Sequence, residues 1–271
     1  MPELPEVETI RRGLISQVVG ATILGAAVRE PRLRWPVSAG LGKTLAGARI
    51  LALQRHGKYL AFLTDRGNLI VHLGMSGSLR LVQAETAPLA HEHLDILLDH
   101  PWRLRFRDPR RFGAVLWWVG PVESHPLLAD LGPEPLTKAF SGETLFRATR
   151  GRAASIKAVL MDSRRVAGIG NIYANEALFA AGIRPFARAG SLSRPRCDRL
   201  CSAVKAILRR AIRAGGSSLR DFVDVQGEPG QFQLRYTVYG RGGEPCRVCG
   251  NRIREIRQLG RASWFCPACQ R

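Results

Sequence analysis

Residues 246–271 read CRVCGNRIREIRQLGRASWFCPACQR. Cys246 and Cys249 form one Cys-x-x-Cys pair, and Cys266 and Cys269 form a second, with residues 250–265 between them. Each pair supplies two thiolates from one tight turn, and zinc takes four soft ligands in a tetrahedron. The intervening stretch is long enough for a β-hairpin that brings the pairs together. Sulfur fills every position, so the expected metal is one structural Zn(2+) per chain with no catalytic task. That leaves the arginines of the hairpin, Arg252, Arg254, Arg257 and Arg261, to meet phosphate. A disulfide framework is the competing reading, but no secretion signal accompanies these cysteines.

Working outward from the tail, the pattern is helical. In residues 194–214 one apolar face is formed by Cys197, Leu200, Cys201, Val204, Leu208, Ala211 and Ile212. Cys197 and Cys201 therefore read as core thiols. SIKAVLMDS and NIYANEALFAAG also have helical period, and GPEPL (132–136) marks a boundary before them. Ahead of it the runs ATILGAAVRE, ARILALQ, KYLAFLT, NLIVHLG, HLDILLD, WRLRFRD and GAVLWWV are short apolar or alternating segments. Turn residues such as 65–68 separate them, which predicts a β-sandwich or barrel. The chain opens MPELPEVETIRRGL, where Val7, Ile10, Leu14 and Val18 recur at helical spacing behind Pro5. Proline suits a first helical turn and acids suit the positive end of the helix dipole. A helix starting there holds the first residues in place.

Arginine and lysine number 41 against 22 acids, a formal net charge of +19 over 271 residues. Only Lys43, Lys58, Lys138, Lys157 and Lys205 are lysine. A GC-rich genome also produces an arginine bias, but not an excess of base over acid. The excess points to a polyanionic partner, nucleic acid first. No apolar run of about 18 residues offers a membrane span, and the N-terminus lacks the basic and apolar regions of a signal peptide. A cytoplasmic protein without a membrane partner is expected.

The two ends, PELPEVE behind Met1 and a four-cysteine finger, resemble the bacterial formamidopyrimidine-DNA glycosylases. HGKYL (56–60), HLGMSGSLR (72–80), DPRRFGAVLW (108–117), GPEPL, LMD…GIGNIYANEALF (160–179), GGSSLRDF (215–222) and VYGRGGEPCRVCG (238–250) are similar to that family's motifs, in its order. The resemblance implies an α+β fold in two domains. Residues 1–134 would be an N-terminal catalytic β-sandwich with an N-terminal helix. Residues 135–235 would be a helix-two-turn-helix DNA-binding domain with a lid loop at about 215–230, and 236–271 a zinc-finger β-hairpin. It further implies a monomeric base excision repair enzyme of the bacterial cytoplasm, associated with the nucleoid. Its partner would be double-stranded DNA carrying oxidised bases or abasic sites, held in a basic cleft. Oxidised purines (8-oxoguanine and formamidopyrimidines) would be excised and the strand cut by β,δ-elimination.

Residue by residue, Pro2 becomes a secondary amine once Met1 is removed, and amines form Schiff bases at an anomeric carbon. Taken alone, Pro2 simply precedes a helix. The resemblance makes it the nucleophile, with Glu3 as acid/base and Glu6 in support, while Glu8 reads as serving the helix dipole. Lys58 matches a phosphate-contacting proton donor, and Arg261 an arginine that grips the phosphates flanking the lesion. A base must be flipped out of the duplex and the gap filled. The matching residues are Met75, Arg110 and Phe112, with Arg110 reading the opposite base. Asn171, at the glycine-rich start of a helix, and Arg152 and His91 match further DNA contacts. Two alternatives remain open: an endonuclease VIII-like glycosylase for oxidised pyrimidines, and a non-catalytic zinc-bearing DNA-binding protein. PELPEV and the intact Met75, Arg110 and Phe112 speak against the first; Pro2, Glu3 and Lys58 speak against the second.

Overall fold

Helix α1 (Leu4–Val18) begins where the periodicity predicts, and Leu4, Val7, Ile10, Leu14 and Val18 on its inner face are wholly buried. Glu6 accepts the Glu3 N–H at 2.7 Å, satisfying one of the donors that a helix start leaves unpaired. The computed structural model describes residues 2–218, 222–258 and 260–271. The processing of Met1 and residues 219–221 of the glycine-rich stretch lie outside the described residues.

The chain forms two compact units, residues 1–129 with 214–231, and residues 130–213 with 232–271. Segment 214–231 thus belongs with the N-terminal unit rather than with the helices that precede it in sequence. The cysteine-bearing tail belongs with the helices.

In the first unit α1 is followed by β1 (Thr22–Val28), α2 (Leu41–Leu45), β2 (Ala48–His56), β3 (Tyr59–Thr64), β4 (Asn68–His72), β5 (Ser78–Gln83), β6 (Glu92–Leu98), β7 (Trp102–Arg107) and β8 (Ala114–Trp118). The strands are ordered β5-β7-β6-β1-β2-β3-β4-β8, all antiparallel. Only Thr22↔Arg49 and Ile23↔Ala48 join β1 to β2, so the sheet is two halves meeting at a narrow seam. Ile96, Leu104 and Phe106 of one half share a core with Leu60, Phe62 and Val71 of the other and with α1. That is the sandwich the alternation predicts. Strand β5 was not among the expected runs. The predicted 65–68 turn is present: Thr64 N–H donates to Gly67 O at 2.8 Å, and Gly67 takes φ +157.

The second unit contains α3 (Gly142–Thr149), α4 (Ile156–Met161), α5 (Asn171–Ala180), α6 (Arg194–Arg213) and the hairpin β9 (Arg254–Gln258) and β10 (Arg261–Phe265). Ser155 caps α4 by accepting Ala158 N–H, so the helix starts at the serine of SIKAVLMDS. The predicted face of α6 is buried throughout, and burial pushes the Cys197 and Cys201 thiols up, away from reactivity. None of the described helices is long and apolar enough to cross a membrane.

Candidate active site and zinc centre

The N-terminal site is assembled by carboxylates. Pro2 and Glu3 are buried ahead of α1. Glu6 Oε2 accepts the Glu3 N–H, and its Oε1 accepts Ser217 N–H at 2.8 Å. One buried side chain therefore fixes both the terminus and the root of segment 214–231. Burial opposes ionisation of Glu8, but hydrogen bonds from Arg11 and Arg12 and the charges of Arg11 and Arg55 outweigh it and hold the carboxyl at about 2. Glu8 thereby ties α1 to β2 through Arg55 at 3.2 Å, a role beyond the helix dipole.

Lys58 sits in the two-residue turn between β2 and β3, where His56 pairs with Tyr59 and Gly57 takes φ +59. Tyr59 pairs in turn with His72, their rings 4.6 Å apart. Burial, then the charges of Lys58 and Arg34, depress His72 to about 4. The neutral ring accepts Gly74 N–H on Nδ1 at 3.1 Å, so its own proton sits on Nε2. Sequence reasoning did not single out His72. The signal was available in the β3–β4 register, since HGKYL and HLGMSG face each other once the strands are paired.

Met75 lies in the β4–β5 connection, Arg110 and Phe112 in the β7–β8 connection. Asp108, wholly buried, joins the two. Its Oδ1 accepts the Ser76 hydroxyl at 2.7 Å and its Oδ2 accepts Gly113 N–H at 2.7 Å, while Ser76 Oγ accepts Arg110 N–H at 3.3 Å. Gly74, at φ +64, completes the junction, because a Cβ there would lie 2.4 Å from the Phe112 carbonyl carbon. The result leaves Met75 39% and Phe112 40% exposed, although both are large and apolar. The Arg110 guanidinium carbon lies 4.7 Å from the Phe112 ring centroid. His91, exposed at φ +67, accepts Asp108 N–H on its carbonyl at 3.0 Å. The loop before it is pinned by buried Arg105, which donates to Thr86 O and Ala87 O and pairs with Asp95 and Glu92. Asp108 and Arg105 were also missed. A lone aspartate or a strand arginine in sequence does not announce that it is buried.

In the second unit Gly168 takes φ +81, and Asn171 opens α5 behind Gly170. Asn171 Nδ2 donates to Ala262 O at 3.2 Å, beside Arg261 on the hairpin. Lys157 Nζ donates to the same carbonyl at 2.8 Å and to Ser263 Oγ at 2.6 Å. Ser155, Lys157, Asp162 and Arg261 line a cavity of about 310 Å³. Asn171 is thus tied to the hairpin at the residue that follows Arg261, with Lys157 as a strut that sequence reasoning missed. Arg152 is not joined to them; its Nε donates to Ala148 O in α3 at 2.8 Å. Buried Glu176 on α5 accepts N–H groups from Thr237, Val238 and Tyr239, fixing the chain as it enters the tail. Its signal was the one charged residue in the helix NIYANEALFA.

The four predicted cysteines converge. Cys246, Cys249, Cys266 and Cys269 place their sulfurs within 4.8 Å of one another, with Cys249–Cys266 at 3.4 Å and Cys246–Cys269 at 3.9 Å. Zn–S bonds of about 2.3 Å give a tetrahedral edge of about 3.8 Å, so the donor set fits zinc. Gln270 supports the site, accepting Cys266 N–H at 2.9 Å and donating to Ile183 O at 2.7 Å.

An N-terminal sandwich with a pinned terminus and a helical unit bearing a four-cysteine hairpin define a two-part protein with a structural zinc. Family models match along the chain: the formamidopyrimidine-DNA glycosylase N-terminal domain over residues 1–115, the H2TH domain of that glycosylase over 131–223, and the zinc finger found in FPG and IleRS over 243–271. The formamidopyrimidine-DNA glycosylases of Pseudomonas paraeruginosa and Methylococcus capsulatus are 55% and 53% identical over 271 residues, covering all of both chains. Among solved structures, MutM (FPG) from Thermus thermophilus is 42% identical with a TM-score of 0.88, covering 99% of this chain and 98% of its own. Lactococcus lactis Fpg in complex with abasic-site DNA is 35% identical with a TM-score of 0.89, covering 99% of each chain. The chain belongs to the formamidopyrimidine-DNA glycosylase family.

Proposed function

We propose that this protein is a bifunctional DNA glycosylase/AP lyase that removes oxidised purines, 8-oxoguanine and formamidopyrimidines, from duplex DNA in the bacterial cytoplasm, at the nucleoid. The observation that carries the reading is the buried Pro2–Glu3 terminus, held through Glu6 at the head of α1. After removal of Met1, the Pro2 nitrogen attacks C1′ of the damaged nucleoside as the N-glycosidic bond breaks and the base leaves with a proton. Glu3 serves the proton transfers that open the sugar ring. The C1′ adduct of a secondary amine is an iminium cation, which acidifies C2′–H. Loss of that proton expels the 3′ phosphate with its bonding electrons, and loss of the C4′ proton into the conjugated system then expels the 5′ phosphate. Lys58 and Arg261 hold phosphates. Met75 and Phe112 fill the space of the flipped nucleotide, and Arg110 addresses the base left opposite. Asn171 and the N–H groups opening α5 form a phosphate site, and His91 and Arg152 add further DNA contacts. Segment 215–230 covers the everted base, with glycine pairs at its ends as hinges. The zinc held by Cys246, Cys249, Cys266 and Cys269 keeps the hairpin folded and takes no part in the chemistry.

Borohydride trapping on an 8-oxoguanine duplex tests the reading. Mass spectrometry of the digested adduct is expected to place the DNA remnant on the N-terminal peptide. An adduct on Lys58, or none with the Met1-processed protein, overturns it.

A further inference from the structure

Helix interiors disfavour glycine, yet Gly13 stands in the middle of α1 without the positive φ that would call for it. Its missing side chain makes room for Val225. A Cβ on Gly13 would lie 2.4 Å from Val225 Cγ2, closer than packed atoms approach, and 3.2 Å from Cγ1. Val225 and Phe222 are buried in the same core as Val7, Ile10 and Leu14. The segment bearing Val225 is closed at its neck, where Gln231 N–H donates to Ala214 O at 2.9 Å and a Cβ on Gly230 would lie 2.5 Å from Gly216 O. Within it Asp224 Oδ1 accepts N–H groups from Gln226 and Glu228, and Ser218 Oγ accepts Gly230 N–H at 2.8 Å. This stiff turn meets α1 at Glu6, through Ser217, and at Gly13. Those positions lie two helical turns apart on one face, about 10 Å at 1.5 Å per residue.

We propose that Val225 seated in the Gly13 notch is a latch, fixing residues 222–230 on the helix that carries Pro2 and Glu3. Gly13 and Val225 are then positioning residues for base excision. The inference rests on the proposed role of segment 215–230 as cover for the everted base. An abasic site presents no base to cover, so the latch matters for excision and not for strand cleavage at a preformed abasic site.

The test uses the full-length, zinc-loaded protein and the variants Gly13→Ala, Val225→Ala and Gly13→Ala/Val225→Ala. Gly13→Ala is expected to slow single-turnover 8-oxoguanine excision by about tenfold or more, the scale on which a small displacement acts. Cleavage of an abasic duplex should stay within about twofold, and hydrogen exchange of residues 222–230 should quicken. The double variant, in which the new methyl fits the space left by the valine methyls, should recover excision and protection relative to Gly13→Ala. Unchanged excision and exchange in Gly13→Ala, equal slowing on both substrates, or no recovery in the double variant each overturn the latch. Wild-type protein that cleaves neither duplex defeats the functional reading instead, and the exchange data then still decide whether Val225 is seated by Gly13.

Discussion

Arg110 and Asp108 divide one task between an exposed and a buried residue. In the proposed function Arg110 offers a planar set of donors to acceptors on a base edge, and such a contact discriminates by about 1–3 kcal/mol. Arg110→Ala should therefore shrink the preference for 8-oxoguanine:C over 8-oxoguanine:A by roughly one to two orders of magnitude, measured by single-turnover cleavage of both duplexes. Equal loss on both pairs would show that Arg110 holds backbone instead. Asp108 touches no base in this reading, yet it holds the Met75 and Phe112 loops together through Ser76 and Gly113. Asp108→Ala leaves those donors unpaired in a buried setting, a loss of about 1–3 kcal/mol. Chemical denaturation should report that loss, and excision should fall on both pairs alike. The proposed role of Arg110 comes from a motif; Asp108 was legible only as a letter in it, because its partner Ser76 comes from another loop.

At the scale of elements, the zinc hairpin and the helices depend on each other. Lys157 and Asn171 hold the hairpin at Ala262, Asn175 Oδ1 accepts Trp264 N–H at 3.0 Å, and Gln270 reaches Ile183. Cys249→Ala should remove the single zinc, read by elemental analysis, and lower affinity for an abasic duplex by about tenfold or more. It should also lower the melting temperature of the helical unit, because the cross-links belong to both elements. Full retention of affinity would separate the finger from DNA binding. Cys-x-x-Cys spacing revealed the ligands in advance because a tight turn is local. The struts were not legible, since Lys157 joins Ala262 across a long stretch of chain.

For the whole molecule, charge governs both partner and pH range. With a net charge of +19, duplex affinity should fall by about 10³-fold or more between 50 and 200 mM salt if six or more phosphates are neutralised. A nearly salt-independent affinity contradicts that. Acid stability follows from three groups in the first unit. Burial opposes the charge of Asp95, but hydrogen bonds and charge from Arg105 and Arg29 hold it at about 2, and Glu8 is held at about 2 likewise. Unfolded, these carboxyls take up protons near 3.8 and 4.5. Their stabilisation is therefore full above about pH 4.5 and is lost as the pH falls towards 2. His72 acts earlier. The unfolded chain protonates it near 6.5 while the folded protein keeps it neutral down to about 4, so stability declines across that window. The melting temperature should drop between pH 7 and 4 in the wild type and less in His72→Asn, whose amide oxygen accepts a hydrogen bond without titrating. Equal slopes would remove His72 from the account.

Local physics made much of this protein readable before folding. The apolar spacing of α1 and α6, the turn at 65–68, most strands and the zinc ligands all depend on residues near one another in sequence. Tertiary structure alone decided the pairings between distant segments: His72 beside Lys58, Asp108 between two loops, Lys157 under the hairpin, and Gly13 against Val225. It also decided that segment 214–231 joins the sandwich although it follows α6 in sequence. Periodicity shows that a face will be buried. Which partner covers that face depends on where chain closure and packing bring the remote segments together.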